Sequence, residues 1–153
     1  MRRLALPPIL MSSLMSGLMS GALLWAGASG AANAGELRVT VRGVKSAEGD
    51  VKVGLYATPE SFDKRQKTFG ALSPARPGAV VVVFHDLPPG RYGLAALHDL
   101  NSNGEMDNNL LGFPTEPFGF GNDAKTNLAP PAFADMTVTV RNGVTETVVN
   151  LRN

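Results

Sequence analysis

The chain contains no cysteine among its 153 residues, and it contains only two histidines. The lack of cysteine excludes disulfide bonds, thiolate metal ligands and a lipid-modified N-terminal cysteine. Two histidines without cysteine argue against zinc, which needs three or four protein ligands at close range. No Gly-x-Ser-x-Gly sequence is present, so the chain lacks the nucleophile motif of many serine hydrolases. Core packing or a bound metal ion must therefore supply the rigidity that exported domains often take from disulfides.

Only one stretch is long and apolar enough to act in a membrane, and it lies at the N-terminus. The basic start Met1–Arg3 is followed by the apolar stretch Leu4–Ala28 and by the small residues Ala32–Ala34. This order predicts a signal peptide over residues 1–34 with cleavage before Gly35, and hence a periplasmic or secreted protein. An uncleaved membrane anchor is the alternative, although the Ala-x-Ala ending favours cleavage.

Neither basic nor acidic residues dominate the chain. It has 14 Lys and Arg against 13 Asp and Glu, and the predicted signal peptide removes Arg2 and Arg3. The mature chain, residues 35–153, therefore carries a net charge of −1. Nucleic-acid binding needs a basic surface, so we expect no nucleic-acid partner. We also expect no membrane contact after cleavage. The length of residues 35–153 suits a single domain.

The mature sequence consists of apolar and polar residues that alternate in short runs, as they do in β-strands with one buried face. Glu36–Val44 and Asp50–Ala57 follow this pattern, and Glu60–Lys67 is predicted as a short helix. The run Ala79–His85 is continuously apolar, which predicts a central strand buried on both faces. Arg91–Asp99 is the next predicted strand.

Turn residues separate these strands. Leu87–Gly90 ends in Pro-Gly, which predicts a type II turn with positive φ at Gly90. Asn142-Gly143 lies between the strands Asp135–Arg141 and Val144–Leu151, which predicts a β-hairpin. The sequence thus predicts an all-β fold, an antiparallel β-sandwich of six to seven strands. It also predicts one long ordered loop at about residues 100–134. Loops of this length are usually functional or disordered, and the Phe residues of this one argue against disorder because disordered segments are poor in aromatic residues.

The first part of that loop contains oxygen-bearing side chains at the spacing of a calcium site. Asp99, Asn101, Asn103 and Asp107 carry the oxygens, and Gly104 permits the sharp reversal that folds a chain around an ion. The pattern D-x-N-x-N-G-x-x-D matches the first nine positions of an EF-hand loop. The alternative is that these residues only form turns, as Asp, Asn and Gly often do. Four oxygen donors in register with the glycine favour calcium.

The loop is nevertheless not an EF-hand. Leu110 stands at position twelve, where an EF-hand has a bidentate Glu, and the preceding residues are predicted as a strand. The backbone carbonyl of Glu105 and the side chain of Glu116 are the candidates to complete the ligand set. Asn108 and Asn109 are weaker candidates.

The segment Gly112–Asn122 is rich in Phe, Pro and Gly. Its Phe rings could form a platform for a protein or carbohydrate ligand. The alternative is a minor core that holds the loop against the sandwich, and this is the commoner role of Phe.

Three segments in this order resemble the bacterial domain-of-unknown-function family 2141. They are Leu87–Tyr92 (LPPGRY), His98–Asp107 with its calcium-loop pattern, and Gly112–Asn122 (GFPTEPFGFGN). The resemblance implies an exported protein of undefined activity. The first segment is also similar to transthyretin-like and collagen-adhesin B-type sandwiches, some of which carry a similar calcium loop. Members of the family often have Ser where Gly121 stands here.

Two functions are therefore open from the sequence. The first is an exported, non-enzymatic module of binding or structural role, stabilised by calcium. The second is a periplasmic hydrolase that uses His98, Asp99 and Glu116 for acid–base chemistry, which would need those side chains within hydrogen-bond reach in a cleft.

Overall fold

A computed structural model describes residues 34–127 and 129–152 of the chain. The predicted signal peptide lies outside the described residues except for Ala34. Within the described part, no helix is long and apolar enough to cross a membrane.

The described residues form eight strands and one short α-helix. In chain order these are β1 (Gly35–Val44), β2 (Asp50–Tyr56), α1 (Pro59–Asp63), β3 (Phe69–Pro74), β4 (Gly78–Leu87), β5 (Gly90–Asp99), β6 (Phe118–Phe120), β7 (Thr137–Val140) and β8 (Gly143–Asn150). A single turn of 3-10 helix, Gly121–Asp123, follows β6.

The strands form two mostly antiparallel sheets that do not close into a barrel. One sheet has the order β4-β1-β8, and the other has the order β3-β2-β5-β6. Strand β7 pairs with the first half of β5, and β6 pairs with its second half. The prediction of an all-β sandwich is therefore confirmed, with eight strands instead of six to seven and with one parallel pair, β1 with β8.

The core lies between the two sheets and is built from alternate residues of each strand. Leu37, Val39 and Val41 of β1 point inward, as do Val51 and Val53 of β2, and all five are at most 1% exposed. The burial of apolar side chains away from water is the main favourable contribution to the free energy of folding. The alternation that predicted β1 and β2 is thus the pattern that places the core.

The apolar run in β4 is not buried on both faces, so that prediction is wrong. Val80, Val82 and Phe84 are buried, but Val81 between them is 50% exposed. β4 is an edge strand of the three-stranded sheet, and its outer face meets solvent. Continuous β-branched residues here reflect preference for the extended backbone more than burial.

The predicted hairpin at Asn142-Gly143 is also wrong. β7 pairs with β5 in one sheet, while β8 pairs in parallel with β1 in the other. A two-residue type I′ hairpin needs positive φ at both central residues. Of this pair only Gly143 has it, at 81°, and the connection carries the chain from one sheet to the other.

Two smaller expectations also change, and one strand is new. Gly90 opens β5 without a positive φ, so the type II turn is absent, and Asp86 takes a φ of 55° instead. The helix is shorter than Glu60–Lys67 because it ends at Asp63, with Thr58 as its N-cap. Strand β3 was not predicted, since its residues alternate between half-buried and exposed without strong hydrophobicity.

Aromatic rings cover the outer face of the five-stranded sheet. Tyr56, Phe62, Phe120 and Phe118 form a chain of edge-to-face contacts with centroid distances of 5.2, 6.1 and 5.8 Å. Phe120 is 9% exposed. Phe118 and Phe120 of the Phe-rich segment thus pack as a minor core under α1. Phe113 of the same segment lies outside this core and is 54% exposed.

Candidate metal centre

The loop that was predicted to bind calcium begins where β5 ends. Asp99 is the last residue of β5 and pairs with Asp50 of β2. Gly49 lies directly against this strand end: a Cβ there would stand 1.9 Å from the carbonyl oxygen of Asp99. Gly49 also has a φ of +67°, which favours glycine. A glycine at 49 is therefore required for the chain to pass so close to the start of the loop.

The Asp99 carboxylate lies at the centre of the loop and is fully buried. It accepts hydrogen bonds from the backbone amides of Asn103 at 3.1 Å and of Gly104 at 2.7 Å. The ammonium group of Lys52, on the neighbouring strand β2, donates to the same carboxylate at 2.5 Å. The loop can turn back on Asp99 because Ser102 and Gly104 have positive φ, 57° and 87°.

Two opposing effects act on the pKa of Asp99. Burial alone would raise the pKa, because it disfavours the charged carboxylate. The hydrogen bond and charge of Lys52, with the hydrogen bonds from the amides of Gly104 and Asn103, outweigh burial and hold the pKa below its ordinary value of 3.8. Asp99 is therefore an ionised carboxylate with a cationic group already against it.

Asn101, Asn103 and Asp107 also converge within the loop. The Asp107 carboxylate accepts hydrogen bonds from the side-chain amide of Asn101 at 2.7 Å and from that of Asn103 at 3.1 Å. The amide oxygens of these two Asn residues accept the backbone amides of Asn103 and Glu105, at 3.0 and 2.8 Å. All the side chains of the D-x-N-x-N-G-x-x-D pattern thus lie together around the turn.

Glu116 ties the two ends of this loop to each other. Its Oε1 accepts the backbone amide of Leu100 at 2.8 Å, and its Oε2 accepts that of Asp107 at 3.1 Å. The side chain is 2% exposed. Each carboxylate oxygen can accept more than one bond, so these contacts leave acceptor capacity for a cation. The sequence prediction that Glu116 belongs to this loop matches its position; its role as a ligand stays a prediction.

His98 belongs to a different environment from Asp99. Side chains alternate across a strand, so His98 points into the sandwich on the side of Leu94 and Ala96. It is fully buried, and its Nε2 lies 2.8 Å from the carbonyl oxygen of Glu48. Nε2 must therefore carry the proton, and Nδ1 has no hydrogen-bond partner among the described residues.

The side chains of the hydrolase hypothesis share no hydrogen bond. His98 bonds to the Glu48 carbonyl, while Glu116 accepts two backbone amides and Asp99 accepts Lys52. A general base must reach the proton that it removes, and a fully buried His98 does not meet solvent. The second histidine, His85, lies on β4 in the other sheet, and its Nδ1 is 3.1 Å from the Glu36 carboxylate.

The donors of the loop are oxygen atoms, the kind of ligand that hard cations prefer. Within the part of the chain that the structure describes, no three His, Cys, Asp or Glu side chains meet as a metal site. The loop instead offers two carboxylates, Asp99 and Asp107, with neutral oxygens from Asn101, Asn103 and the Glu105 backbone. Oxygen ligands of this kind suit calcium, and the Lys52 ammonium already occupies one cationic position at Asp99.

Sequence reasoning missed Lys52. It lies on β2, 47 residues before Asp99, and it meets that residue only because β2 and β5 pair. Lys52 alternates with the buried Val51 and Val53, which predicts an outward-facing side chain. Pairing of the two strands was the information needed to place it beside the loop.

Comparison with known proteins gives a family and no activity. The model of a family described as an uncharacterized protein conserved in bacteria (DUF2141) matches residues 39–148. No curated protein and no solved structure matches the chain.

Proposed function

Since the chain belongs to this uncharacterized bacterial family, we propose its function from the loop itself: it is an exported, non-enzymatic β-sandwich module that binds a structural calcium ion. The ligands are the side chains of Asp99, Asn101, Asn103 and Asp107 and the carbonyl of Glu105. Glu116 completes the set, and to do so its carboxylate turns from the amides of Leu100 and Asp107 towards the ion. One observation supports the proposal: the side chains of Asp99, Asn101, Asn103 and Asp107 share one turn, and the Asp99 carboxylate in it is buried and ionised.

Calcium takes six to eight oxygen ligands, and the proposed residues supply six. Its double charge would balance Asp99, which now accepts the Lys52 ammonium, and Asp107, which now accepts two Asn side-chain amides. When bound, the ion joins the end of β5 to the exit of the loop. This is a stabilising role, in a chain that has no disulfide to serve the same purpose.

The existing hydrogen bonds of the carboxylates limit the calcium affinity. Asp99, Asp107 and Glu116 are already bonded within the protein, so calcium must compete with Lys52 and with backbone amides. We expect an affinity in the range of extracellular calcium modules, about 10⁻⁴–10⁻³ M. At 1 mM calcium, a dissociation constant of about 10⁻⁴ M gives roughly 1.4 kcal/mol of stabilisation.

Thermal unfolding in EDTA and in 1 mM calcium chloride tests the proposal. A stabilisation of roughly 1.4 kcal/mol corresponds to a rise of about 6 °C in Tm for a domain of this size. Asp107→Asn, which removes one ligand charge, should abolish most of the rise. Asp135→Asn is the matched control, because Asp135 is exposed and lies outside the loop.

An equal Tm in EDTA and in calcium would refute the calcium proposal. So would a calcium-dependent rise that Asp107→Asn leaves intact, since the ion would then bind elsewhere. Magnesium at the same concentration should give a smaller shift, because it demands octahedral geometry and loses its water reluctantly.

A further inference from the structure

The described residues include two Asn-Gly pairs, Asn103-Gly104 in the loop after β5 and Asn142-Gly143 between β7 and β8. An Asn side chain that is followed by Gly can react with the chain itself, because glycine has no Cβ to shield its backbone nitrogen. The two pairs have the same composition, so a difference in their reactivity must come from the structure around them.

Hydrogen bonds hold both reacting groups of the Asn103-Gly104 pair. The Gly104 amide donates to the carboxylate of Asp99 at 2.7 Å. The side-chain amide of Asn103 donates to Asp107 at 3.1 Å, and its oxygen accepts the backbone amide of Glu105 at 2.8 Å. Attack of the Gly104 nitrogen on this side chain would have to break all three bonds.

The Asn142-Gly143 pair has no such restraint. Asn142 is exposed and lies outside both strands, and its side chain makes no hydrogen bond to any residue that the structure describes. Gly143 is also exposed, and a Cβ there would meet no heavy atom within 4 Å beyond its chain neighbours. Gly143 pairs with Gly35 at the end of the β1–β8 ladder, where strands fray most readily.

From this contrast we infer that Asn142 is a site of spontaneous deamidation and that the fold protects Asn103 from the same reaction. The backbone nitrogen of Gly143 bonds to Cγ of Asn142, and the Cγ–Nδ2 bond breaks. The proton of the Gly143 amide passes through water to the leaving group, which departs as ammonia. The product is a five-membered succinimide ring.

Water, the only co-reactant, then opens the ring in one of two ways. Cleavage of the new bond between the Gly143 nitrogen and Cγ gives an aspartate. Cleavage of the original bond from that nitrogen to the main-chain carbonyl carbon gives an isoaspartate. In the isoaspartate the main chain runs through Cβ and Cγ, which lengthens it by one atom.

Deamidation alters the connection between the two sheets. Asn142 lies where the chain leaves β7 and enters β8, and these strands belong to different sheets. Each event adds one negative charge to the chain. Because the site is exposed and lies at the end of a ladder, we expect the product to stay folded and to separate from the parent by charge.

Peptide mapping by mass spectrometry tests the inference, after the exported chain has been held in EDTA at mildly alkaline pH. The peptide that contains Asn142 should gain the mass difference between an amide and a carboxyl group, and it should separate into aspartate and isoaspartate forms. Asn103 should react about 100-fold more slowly, because each of three hydrogen bonds that must break slows the reaction about fivefold. EDTA removes calcium, so the result is independent of the proposed function.

The unfolded chain is the matched control. In guanidinium chloride the two pairs should deamidate at similar rates, because only the fold distinguishes them. Asn142→Gln should abolish the fast reaction, since glutamine must close a six-membered ring, which forms far more slowly. Asp107→Ala removes an acceptor of the Asn103 side chain, so it should speed deamidation at Asn103 and leave Asn142 as it was.

Three results would overturn the inference. Equal rates at Asn103 and Asn142 in the folded chain would mean that the hydrogen bonds of the loop give no protection. An unchanged rate at Asn103 in Asp107→Ala would contradict the same claim. If Asn142 stayed intact in the folded chain but reacted in guanidinium chloride, the β1–β8 ladder would be holding Gly143 away from attack.

Discussion

Replacement of Lys52 by Met should destabilise the protein strongly, because it leaves the buried Asp99 carboxylate without its cation. Asp99 is fully buried, while the Lys52 side chain is 19% exposed. Removal of one partner from a buried ion pair costs about 3–5 kcal/mol. Asp99 keeps the amides of Asn103 and Gly104, so the expected loss is at the lower end, about 3 kcal/mol.

Urea unfolding in EDTA measures this loss. With a slope of about 1.5 kcal/mol per molar, the midpoint of Lys52→Met should fall by about 2 M. Lys45→Met is the control, since Lys45 is exposed, and it should change the midpoint little. Calcium should restore more stability to Lys52→Met than to the unmodified chain, because the ion no longer competes with the ammonium. An unchanged midpoint in Lys52→Met would refute the claim that Lys52 holds Asp99.

The pH dependence should reverse between the two proteins. In the unmodified chain the pKa of Asp99 lies below 3.8, so its stabilisation is present above that pH and is lost as pH falls through the folded value. In Lys52→Met the balance shifts towards burial, which raises the pKa. The Asp99 carboxyl of the variant then takes up a proton in the folded state. The difference in free energy of unfolding between the unmodified chain and Lys52→Met should therefore shrink as the pH falls from 7 to about 4. A constant difference over that range would contradict this account.

Three further predictions concern the loop and the N-terminus. Glu116→Gln should lower the free energy of unfolding by about 1–3 kcal/mol, because the NH2 group of Gln would replace one carboxylate oxygen and leave a backbone N–H without its acceptor. Glu105→Gln, at an exposed site, should change the free energy of unfolding little in the same urea assay. Gly49→Ala should lower Tm far more than Gly143→Ala, because both glycines have positive φ but only at Gly49 does the new Cβ meet backbone, at 1.9 Å. Mass spectrometry of the exported protein should give a chain that starts at Gly35; an intact N-terminus would indicate a membrane anchor.

The strands were predictable wherever one face is buried. Leu37, Val39 and Val41 alternate with polar residues, and burial follows that alternation. The pairing of strands was not predictable, because it depends on contacts between distant segments. The Asn142-Gly143 pair has the composition of a hairpin, yet the parallel pairing of β8 with β1 takes the chain into the other sheet.

For the loop, too, contacts within a short segment were predictable and contacts between distant segments were not. The spacing from Asp99 to Asp107 placed the oxygen donors in one loop, because local chain geometry sets that arrangement. The family resemblance noted from the motifs is confirmed over residues 39–148. Lys52 was beyond reach, since it meets Asp99 across two paired strands.

A crystal structure grown in 5 mM calcium chloride tests the central claim most directly. The account predicts one cation bonded to Asp99, Asn101, Asn103 and Asp107 at about 2.3–2.6 Å, with the Lys52 ammonium no longer bonded to the Asp99 carboxylate. A loop without a cation, in which Lys52 still donates to Asp99, would contradict it.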